Sequence, residues 1–129
     1  MVAKVKNTIV FVGRLEKDTG LLGFLKWLVN NSQFIKIDFV GDGDLKRECE
    51  KYGKVHGFTD PKAFLNRAEY CIPGGHLSYI EAVKYRCKIR VFADNPLKKD
   101  YWKEIQKIKK FPTWDQVADE YLNLYNSTK

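Results

Sequence analysis

The stretch IPGGHLSYIEAV, residues 72–83, combines a glycine pair with one acidic side chain in a short space. An apolar strand ends in Pro-Gly-Gly and a helix follows at once. Two glycines let the backbone come close to a ligand, and the helix start offers unpaired N–H groups to an anion. The carboxylate of Glu81, further along this helix, could accept two hydrogen bonds from a vicinal diol such as ribose. The alternatives are a tight turn and a salt-bridged surface glutamate.

A second candidate for anion binding stands at the end of the first apolar run, TIVFVG, where Arg14 follows Gly13. An arginine holds diphosphate oxygens through two parallel hydrogen bonds, in a geometry that lysine cannot copy. A solvated loop arginine is an equally open interpretation. His56 and His76 have no Asp or Ser partner that the sequence makes evident, and a lone histidine is more often structural than catalytic.

The composition limits the classes of partner and of cofactor. The formal net charge of +7 admits phosphorylated ligands, an anionic membrane surface or nucleic acid, but no RNA-binding signature is present, which makes nucleic acid the minority interpretation. Three cysteines without CxxC spacing and only two histidines disfavour zinc, so we expect no metal and no cofactor. The N-terminus has no signal-peptide pattern, and we predict a cytoplasmic protein, with contact at a membrane surface left open.

Strands and helices alternate along the chain with short connections. The predicted strands are 8–13, 34–43, 54–58, 69–73 and 88–93. The predicted helices are 19–31, 44–53, 60–68 (with Asp60 as N-cap), 75–86, 98–110 and 114–125. This alternation predicts an α/β fold, with a Rossmann-like parallel sheet between two layers of helices in a single domain over residues 1–129. In such sheets, ligands bind beyond the carboxyl ends of the strands.

Glycine marks that edge of the predicted sheet. Four of the five predicted strands end at Gly13, at Gly41 to Gly43, at Gly57 or at Gly74 to Gly75. Turns also require glycine, but together these positions favour a crevice for a phosphate or a nucleotide. The first strand lacks a GxGxxG fingerprint and the chain has no Walker lysine, which disfavours a nicotinamide enzyme and a P-loop NTPase.

Four stretches resemble one enzyme family, and they do so in its order: IVFVGRLEKDTGLLGFLKWL, IDFVGDGDLKREC, KVHGFTDPKAFLNRAEYCIPGGHLSYIEA and FPTWDQVADEYLNLY. They are similar to the C-terminal domain of group 1 GT-B glycosyltransferases, which are retaining and use nucleotide sugars. The resemblance covers nearly the whole chain. It implies hexosyl transfer from a UDP or GDP sugar without an obligatory metal, together with an acceptor-binding half on another domain or a partner chain.

The resemblance also implies a donor site at the strand ends and at the start of the helix after the fourth strand. Its residues are Gly13, Arg14, Lys17, Gly41, Gly43, Val55, His56, Gly74, Gly75, His76, Leu77 and Glu81. Arg14 is the implied catalytic residue, since it would stabilise the departing diphosphate. The backbone N–H groups of His76 and Leu77 would hold the distal phosphate, and Glu81 would bind the ribose hydroxyls.

For the remaining positions the resemblance implies contacts with the nucleoside. Gly41 and Gly43 would let the backbone approach it, and Val55 and His56 would lie beside the base through backbone groups. Gly13 would face the diphosphate together with its neighbour Arg14.

The sequence departs from the family pattern at two functional positions. The lysine expected just before Gly20 is Thr19, with Lys17 as the nearest substitute, and the first glutamate of the paired-glutamate motif falls on Pro73. These departures leave open a catalytically degenerate module that binds an anionic membrane surface or nucleic acid through the basic segment 97–110. The last helix, 114–125, carries enough apolar surface to predict an exposed face or a homo-oligomer.

Overall fold

The computed structural model describes residues 3–93 and 96–106. In this part of the chain, five strands form one all-parallel sheet in the order β3-β2-β1-β4-β5. The strands are β1 (Val5–Val12), β2 (Lys36–Val40), β3 (Lys54–Val55), β4 (Ala68–Pro73) and β5 (Lys88–Ile89). The helices are α1 (Leu21–Val29), α2 (Lys46–Glu50), α3 (Lys62–Arg67), α4 (His76–Lys84) and α5 (Pro96–Gln106), with a 3-10 turn at Lys17–Thr19. The predicted α/β fold class is confirmed.

The strand order places a topological switch point between β1 and β4. From β1 the chain builds the sheet outward through β2 and β3, then returns to the other side of β1 with β4. Val12, the last residue of β1, is level with both Val40 of β2 and Pro73 of β4. The three strand ends therefore form one edge, and a crevice opens where the strand order reverses.

The core lies on both faces of the sheet because β1 is buried on both sides. Ile9 and Phe11 face α1, whereas Val10 and Val12 belong to the cluster formed with α3 and α4. On the α1 side, the ring centroid of Phe24 lies 6.1 Å from that of Phe11 and 5.8 Å from that of Phe92. These contacts hold α1 and the segment after β5 against the sheet.

Several element bounds differ from those that the sequence predicts. The fifth strand was expected over 88–93 but ends at Ile89, because β4 pairs with it only through Tyr70 and Cys71. The residues beyond it leave the sheet, and Phe92 packs on α1 instead. The second and third strands are likewise shorter than predicted, because the parallel pairing stops at Val40 and Val55 and gives way to an isolated antiparallel bridge between Gly41 and Gly57.

The five described helices begin one or two residues from their predicted starts, and the reason is visible at α1 and α3. The helix expected over 19–31 begins after Gly20, whose left-handed backbone (φ 80°) separates the 3-10 turn from α1. Helix α3 begins at Lys62, two residues later than predicted, and the Asp60 carboxylate caps its start by accepting a hydrogen bond from the Lys62 N–H at 3.0 Å.

Some sequence predictions fall outside the described residues. These are the helix over 114–125 with its apolar face and the part of the helix over 98–110 beyond Gln106. Among the helices that the structure does describe, none combines the length and the apolar character needed to cross a membrane.

Candidate functional site

A cleft of about 530 Å³ opens at the switch point between β1 and β4. It is lined by Val12, Gly13, Arg14, Thr19, Gly74, Gly75, His76, Leu77, Ser78, Glu81, Lys98 and Tyr101, and we call it the β1–β4 cleft. Its volume lies within the range of small-molecule sites, about 300–1,000 Å³. The structure therefore brings seven of the twelve predicted donor-site positions, and the loop arginine among them, to one place.

Gly13 and Gly74 are explained by contact with each other. A Cβ atom on Gly13 would lie 2.9 Å from the Cα of Gly74, and one on Gly74 would lie 3.1 Å from the Cα of Gly13. The Gly74 N–H donates to the carbonyl of Val12 at 2.8 Å, which ties the two strand ends together. These two glycines let the chain pack closely where β1 and β4 end.

Gly75 is different, because no contact within residues 3–93 and 96–106 requires a glycine there. Its backbone is extended (φ −161°, ψ −174°), a conformation open to any residue. A Cβ atom at this position would meet no atom of the described residues within 4 Å. The missing side chain instead leaves free space in the β1–β4 cleft, directly before the first turn of α4.

The start of α4 faces this space with unused hydrogen-bond donors. The first helical bond is that from the Tyr79 N–H to the Gly75 carbonyl, at 3.1 Å. Among the described residues, the N–H groups of Leu77 and Ser78 have no acceptor. Together with the positive end of the helix dipole, such donors form an anion site. The Ser78 hydroxyl supports the turn by donating to the Gly75 carbonyl at 3.0 Å.

Glu81 lies in the same cleft, half-buried on α4. Its carboxylate has no hydrogen-bond or ion-pair partner in the part of the chain that the structure describes. The alternative of a salt-bridged surface glutamate therefore finds no cation there. A half-buried carboxylate at the wall of an open cleft can accept hydrogen bonds from a ligand hydroxyl.

Arg14 reaches the cleft from the loop after β1, where it pairs with Asp18. The two side chains are joined at 2.6 Å and are 61% and 60% exposed. Exposed pairs of this kind contribute little, so Asp18 can be exchanged for a phosphate at small cost. Lys17 does not line the β1–β4 cleft; it lines a neighbouring cavity together with Arg14, Asp18 and Asp44.

Thr19, which occupies the position of the family's lysine, faces the cleft but is engaged with the backbone. Its hydroxyl lies 2.8 Å from the Glu16 carbonyl and 3.1 Å from the Arg14 carbonyl. The side chain thus shapes the loop after β1, and it brings no positive charge to the cleft.

Four predicted site residues lie on the other side of β1, outside the cleft. Gly41 and Gly43 pack on the loop after β1, where a Cβ atom on Gly43 would lie 2.5 Å from the Leu15 carbonyl oxygen. Val55 and His56 lie at the end of β3, which is separated from the cleft by β2 and β1.

His56 has a partner that the sequence did not reveal. Its Nε2 atom lies 2.7 Å from the Oδ1 atom of Asp38, a buried residue of β2. Pairing of β2 with β3 places Asp38 opposite Lys54, two residues before His56. The available signal was the single acidic residue inside the apolar run FIKIDFVG.

His76 is the first residue of α4, and it is neutral at pH 7. Burial, together with the nearby Lys98 ammonium, lowers the pKa of His76 to about 4. Its Nδ1 atom lies 2.8 Å from the Tyr101 hydroxyl of α5. The histidine therefore joins the start of α4 to α5 without adding a charge.

Lys98 and Tyr101 line the cleft but were missed in the sequence. The Lys98 ammonium lies 3.4 Å from the Gly74 carbonyl and 4.7 Å from the centre of the Tyr101 ring. Both residues belong to the basic segment 97–110, whose charge the sequence offered only as a surface feature. Their place in the cleft depends on α5 packing against α4 through Trp102, which contacts Tyr79.

Comparison with solved structures decides the fold family. The pneumococcal O-GlcNAc transferase GtfA, solved in complex with UDP and GlcNAc, matches at a TM-score of 0.57 and 15% identity, over 98% of this chain and 30% of that chain. TarM matches at a TM-score of 0.60 and 14% identity, over 97% of this chain and 36% of TarM. This is the fold of a GT-B glycosyltransferase half. No protein-family model and no curated protein matches the sequence.

The likeness extends over almost all of this chain but over only about a third of each GT-B neighbour. The all-parallel sheet fits the C-terminal, Rossmann-like half that the sequence resemblance implies. At 15% and 14% identity, the likeness to the GT-B structures establishes the fold.

The three cysteines of this GT-B half do not contribute chemistry to the cleft. All three, Cys49, Cys71 and Cys87, are buried thiols. Burial raises the pKa of Cys49 to about 12, and burial also raises the pKa values of Cys71 and Cys87. They therefore remain protonated at neutral pH and act as small apolar residues.

The pKa of His76 predicts a pH dependence of stability. Because the histidine is neutral when folded but protonates near pH 6.5 when unfolded, the unfolded chain binds more protons between about pH 6.5 and pH 4. As the pH is lowered through this window, the free energy of unfolding should therefore decrease, and His76 should account for on the order of 1–2 kcal/mol of the decrease. Urea unfolding of the wild type and of His76→Asn at pH 7 and pH 4.5 measures it. Equal losses in both proteins would contradict the assignment.

Proposed function

We propose that this chain is the donor-binding half of a GT-B glycosyltransferase and that the β1–β4 cleft binds the nucleoside diphosphate of a UDP or GDP sugar. One observation carries the proposal: the cleft combines the bare backbone of Gly75, the carboxylate of Glu81, and the N–H groups of Leu77 and Ser78, for which the described part of the chain offers no acceptor. The bare backbone and the N–H groups suit a phosphate, and the carboxylate suits a ribose diol.

The spacing of these groups supports a single ligand. A helix rises about 1.5 Å per residue, so Glu81 lies about 6 Å along the α4 axis from Leu77. That separation is comparable to the distance between the ribose hydroxyls and the distal phosphate of a nucleoside diphosphate. Glu81 and the start of α4 can therefore hold the two ends of one molecule.

In transfer, the task of this half is to stabilise the departing diphosphate. The start of α4 and the guanidinium of Arg14 face the position of the developing charge, and fixed dipoles there act without reorganisation. The acceptor is held by a second half, on another domain or on a partner chain. Transfer proceeds with retention of the anomeric configuration, as in the family that the sequence resembles.

Glu81→Ala should lower the affinity for the nucleoside diphosphate by about 10- to 100-fold, because hydrogen bonds to a charged group contribute about 1.5–3 kcal/mol. Isothermal titration with UDP, GDP and ADP identifies the base and measures the loss. The wild type should bind the 2′-deoxy form of the preferred nucleotide more weakly than it binds the nucleotide itself. Glu81→Ala should bind the two forms equally well. Glu50→Ala, an exposed glutamate of α2, is the matched control and should bind like the wild type.

Two outcomes would contradict the donor-site proposal. One is the absence of binding of all three nucleotides at millimolar concentration. The other is binding that is indifferent to Glu81→Ala but strongly salt-dependent on anionic vesicles or nucleic acid. The second result would favour the degenerate module that binds through segment 97–110.

A further inference from the structure

The β1–β4 cleft has few positive charges for a site that would hold a diphosphate. Of the lysines and arginines that the structure describes, Arg14 and Lys98 line it. Arg14 is paired with Asp18, Lys17 lies in the neighbouring cavity, and His76 is neutral because burial lowers its pKa to about 4. Even when Arg14 exchanges Asp18 for the ligand, one guanidinium leaves part of the charge of a dianionic or trianionic ligand unbalanced, so such a ligand needs a second cation from outside the loop after β1.

Lys98 lies where such a cation is required. Its ammonium is 3.4 Å from the carbonyl of Gly74, the residue before the open position at Gly75. The same ammonium is near enough to the start of α4 to contribute to the lowered pKa of His76. Its positive field therefore adds to that of the helix dipole at the same point.

Packing of α5 fixes the position of this lysine. The ammonium lies 4.7 Å from the centre of the Tyr101 ring and 5.3 Å from that of Trp102, at distances where the aromatic faces attract a cation. Trp102 is 2% exposed and packs on Tyr79 of α4. The charge is thus held on one side of the cleft by a buried contact between two helices.

We propose that Lys98 of α5 binds the distal phosphate of the donor and replaces the lysine whose position Thr19 occupies. This inference rests on the proposed function, since it names a further binding residue of the same site. It also gives α5 a role: the basic segment that begins there brings at least one of its charges to the ligand.

The test compares a diphosphate with a monophosphate. Lys98→Met keeps an unbranched apolar stem and removes the charge, and Lys99→Met removes the neighbouring, exposed charge as the matched control. Affinities for UDP and UMP, or for the corresponding pair of the base that the wild type prefers, are measured by isothermal titration. Lys98→Met should lower the affinity for UDP by about 10- to 100-fold and that for UMP by less than about threefold. Lys99→Met should change neither, and Lys98→Arg should restore part of the loss.

The outcomes separate this inference from the proposed function. Equal losses for UDP and UMP would assign Lys98 a purely structural role and overturn the inference. Unchanged UDP affinity in Lys98→Met, with Glu81→Ala still impaired, would overturn the inference and leave the donor site standing. No binding by the wild type would overturn both. Should Lys98→Met fail to fold in a thermal melt, Lys98→Gln is titrated in its place against the same two ligands.

Discussion

Replacing Gly75 by aspartate is expected to lower nucleoside diphosphate affinity at least about 100-fold while the domain stays folded. The new side chain enters open space, its backbone conformation is already extended, and aspartate is among the preferred N-cap residues. Its carboxylate would accept hydrogen bonds from the N–H groups of Leu77 or Ser78, the same donors that we assign to the phosphate. It would also repel the ligand, by about 4 kcal/mol for unit charges 4 Å apart at an effective dielectric constant of 20.

Gly75→Asn separates the two causes of this loss. Asparagine has nearly the same shape and also caps helices, but it is uncharged. Gly75→Asn should therefore lower the affinity less than Gly75→Asp does. Its side chain occupies the N–H donors and the space beside Gly75 but does not repel the ligand. Isothermal titration with UDP or the preferred nucleotide gives the affinities, and urea unfolding should show both variants within about 1 kcal/mol of the wild type.

The diagnostic result is a nucleotide affinity that decreases from the wild type to Gly75→Asn and again to Gly75→Asp. If Gly75→Asp binds the nucleotide as tightly as the wild type does, the phosphate binds elsewhere. Equal losses in the two variants would show that the space at Gly75, and not the charge at the start of α4, governs binding.

The architecture could be predicted from the sequence because local patterns determine it. Apolar runs that alternate with helical periodicity require βαβ units, and the right-handed connections of such units constrain the sheet. The meeting of Gly13, Gly74 and Gly75 at one edge follows from that topology. The residues themselves suggested Glu81 and the start of α4 as ligand contacts, the resemblance implied the same roles, and the structure brings both into the same cleft.

What could not be predicted depends on contacts between distant parts of the chain. The Asp38–His56 pair requires the register of β2 with β3, which no local pattern contains. Lys98 reaches the cleft only because Trp102 holds α5 against α4. The length of β5 depends on how far the segment after Cys87 stays beside β4; Lys88 and Ile89 pair with Tyr70 and Cys71, and Phe92 packs on α1.

The glycines at the strand ends show the same limit at single positions. All of them were interpreted as places where a nucleotide approaches the backbone. In the structure, Gly13 and Gly74 pack against each other, and Gly41 and Gly43 pack against the loop after β1. Gly75 alone of these five has no neighbour within 4 Å of a Cβ atom in the part of the chain that the structure describes, which is why the proposal rests on it.

Gly41→Ala is accordingly expected to destabilise the protein by about 3 kcal/mol or more, from backbone strain and steric overlap combined. Its φ of 153° is unfavourable for any other residue, and the added Cβ would overlap the carbonyl oxygen of Gly13. Relief would require separating strand ends that are joined by the bonds from Gly13 N–H to Val40 O, at 3.1 Å, and from Gly41 N–H to Gly57 O, at 2.9 Å.

Gly57→Ala is the matched control for this substitution, because Gly57 is the hydrogen-bond partner of Gly41 and also has a positive φ, 73°. Unlike Gly41, it has no described residue within 4 Å of a Cβ atom. It should lose only the cost of the left-handed conformation, about 1–2 kcal/mol. Urea unfolding of both variants isolates the steric contribution as the difference between them. A larger loss in Gly41→Ala would assign this glycine to the packing that positions Gly13 at the cleft. Equal losses of unfolding free energy in the two variants would contradict the steric explanation. Gly41 would then again be a candidate for backbone contact with a ligand.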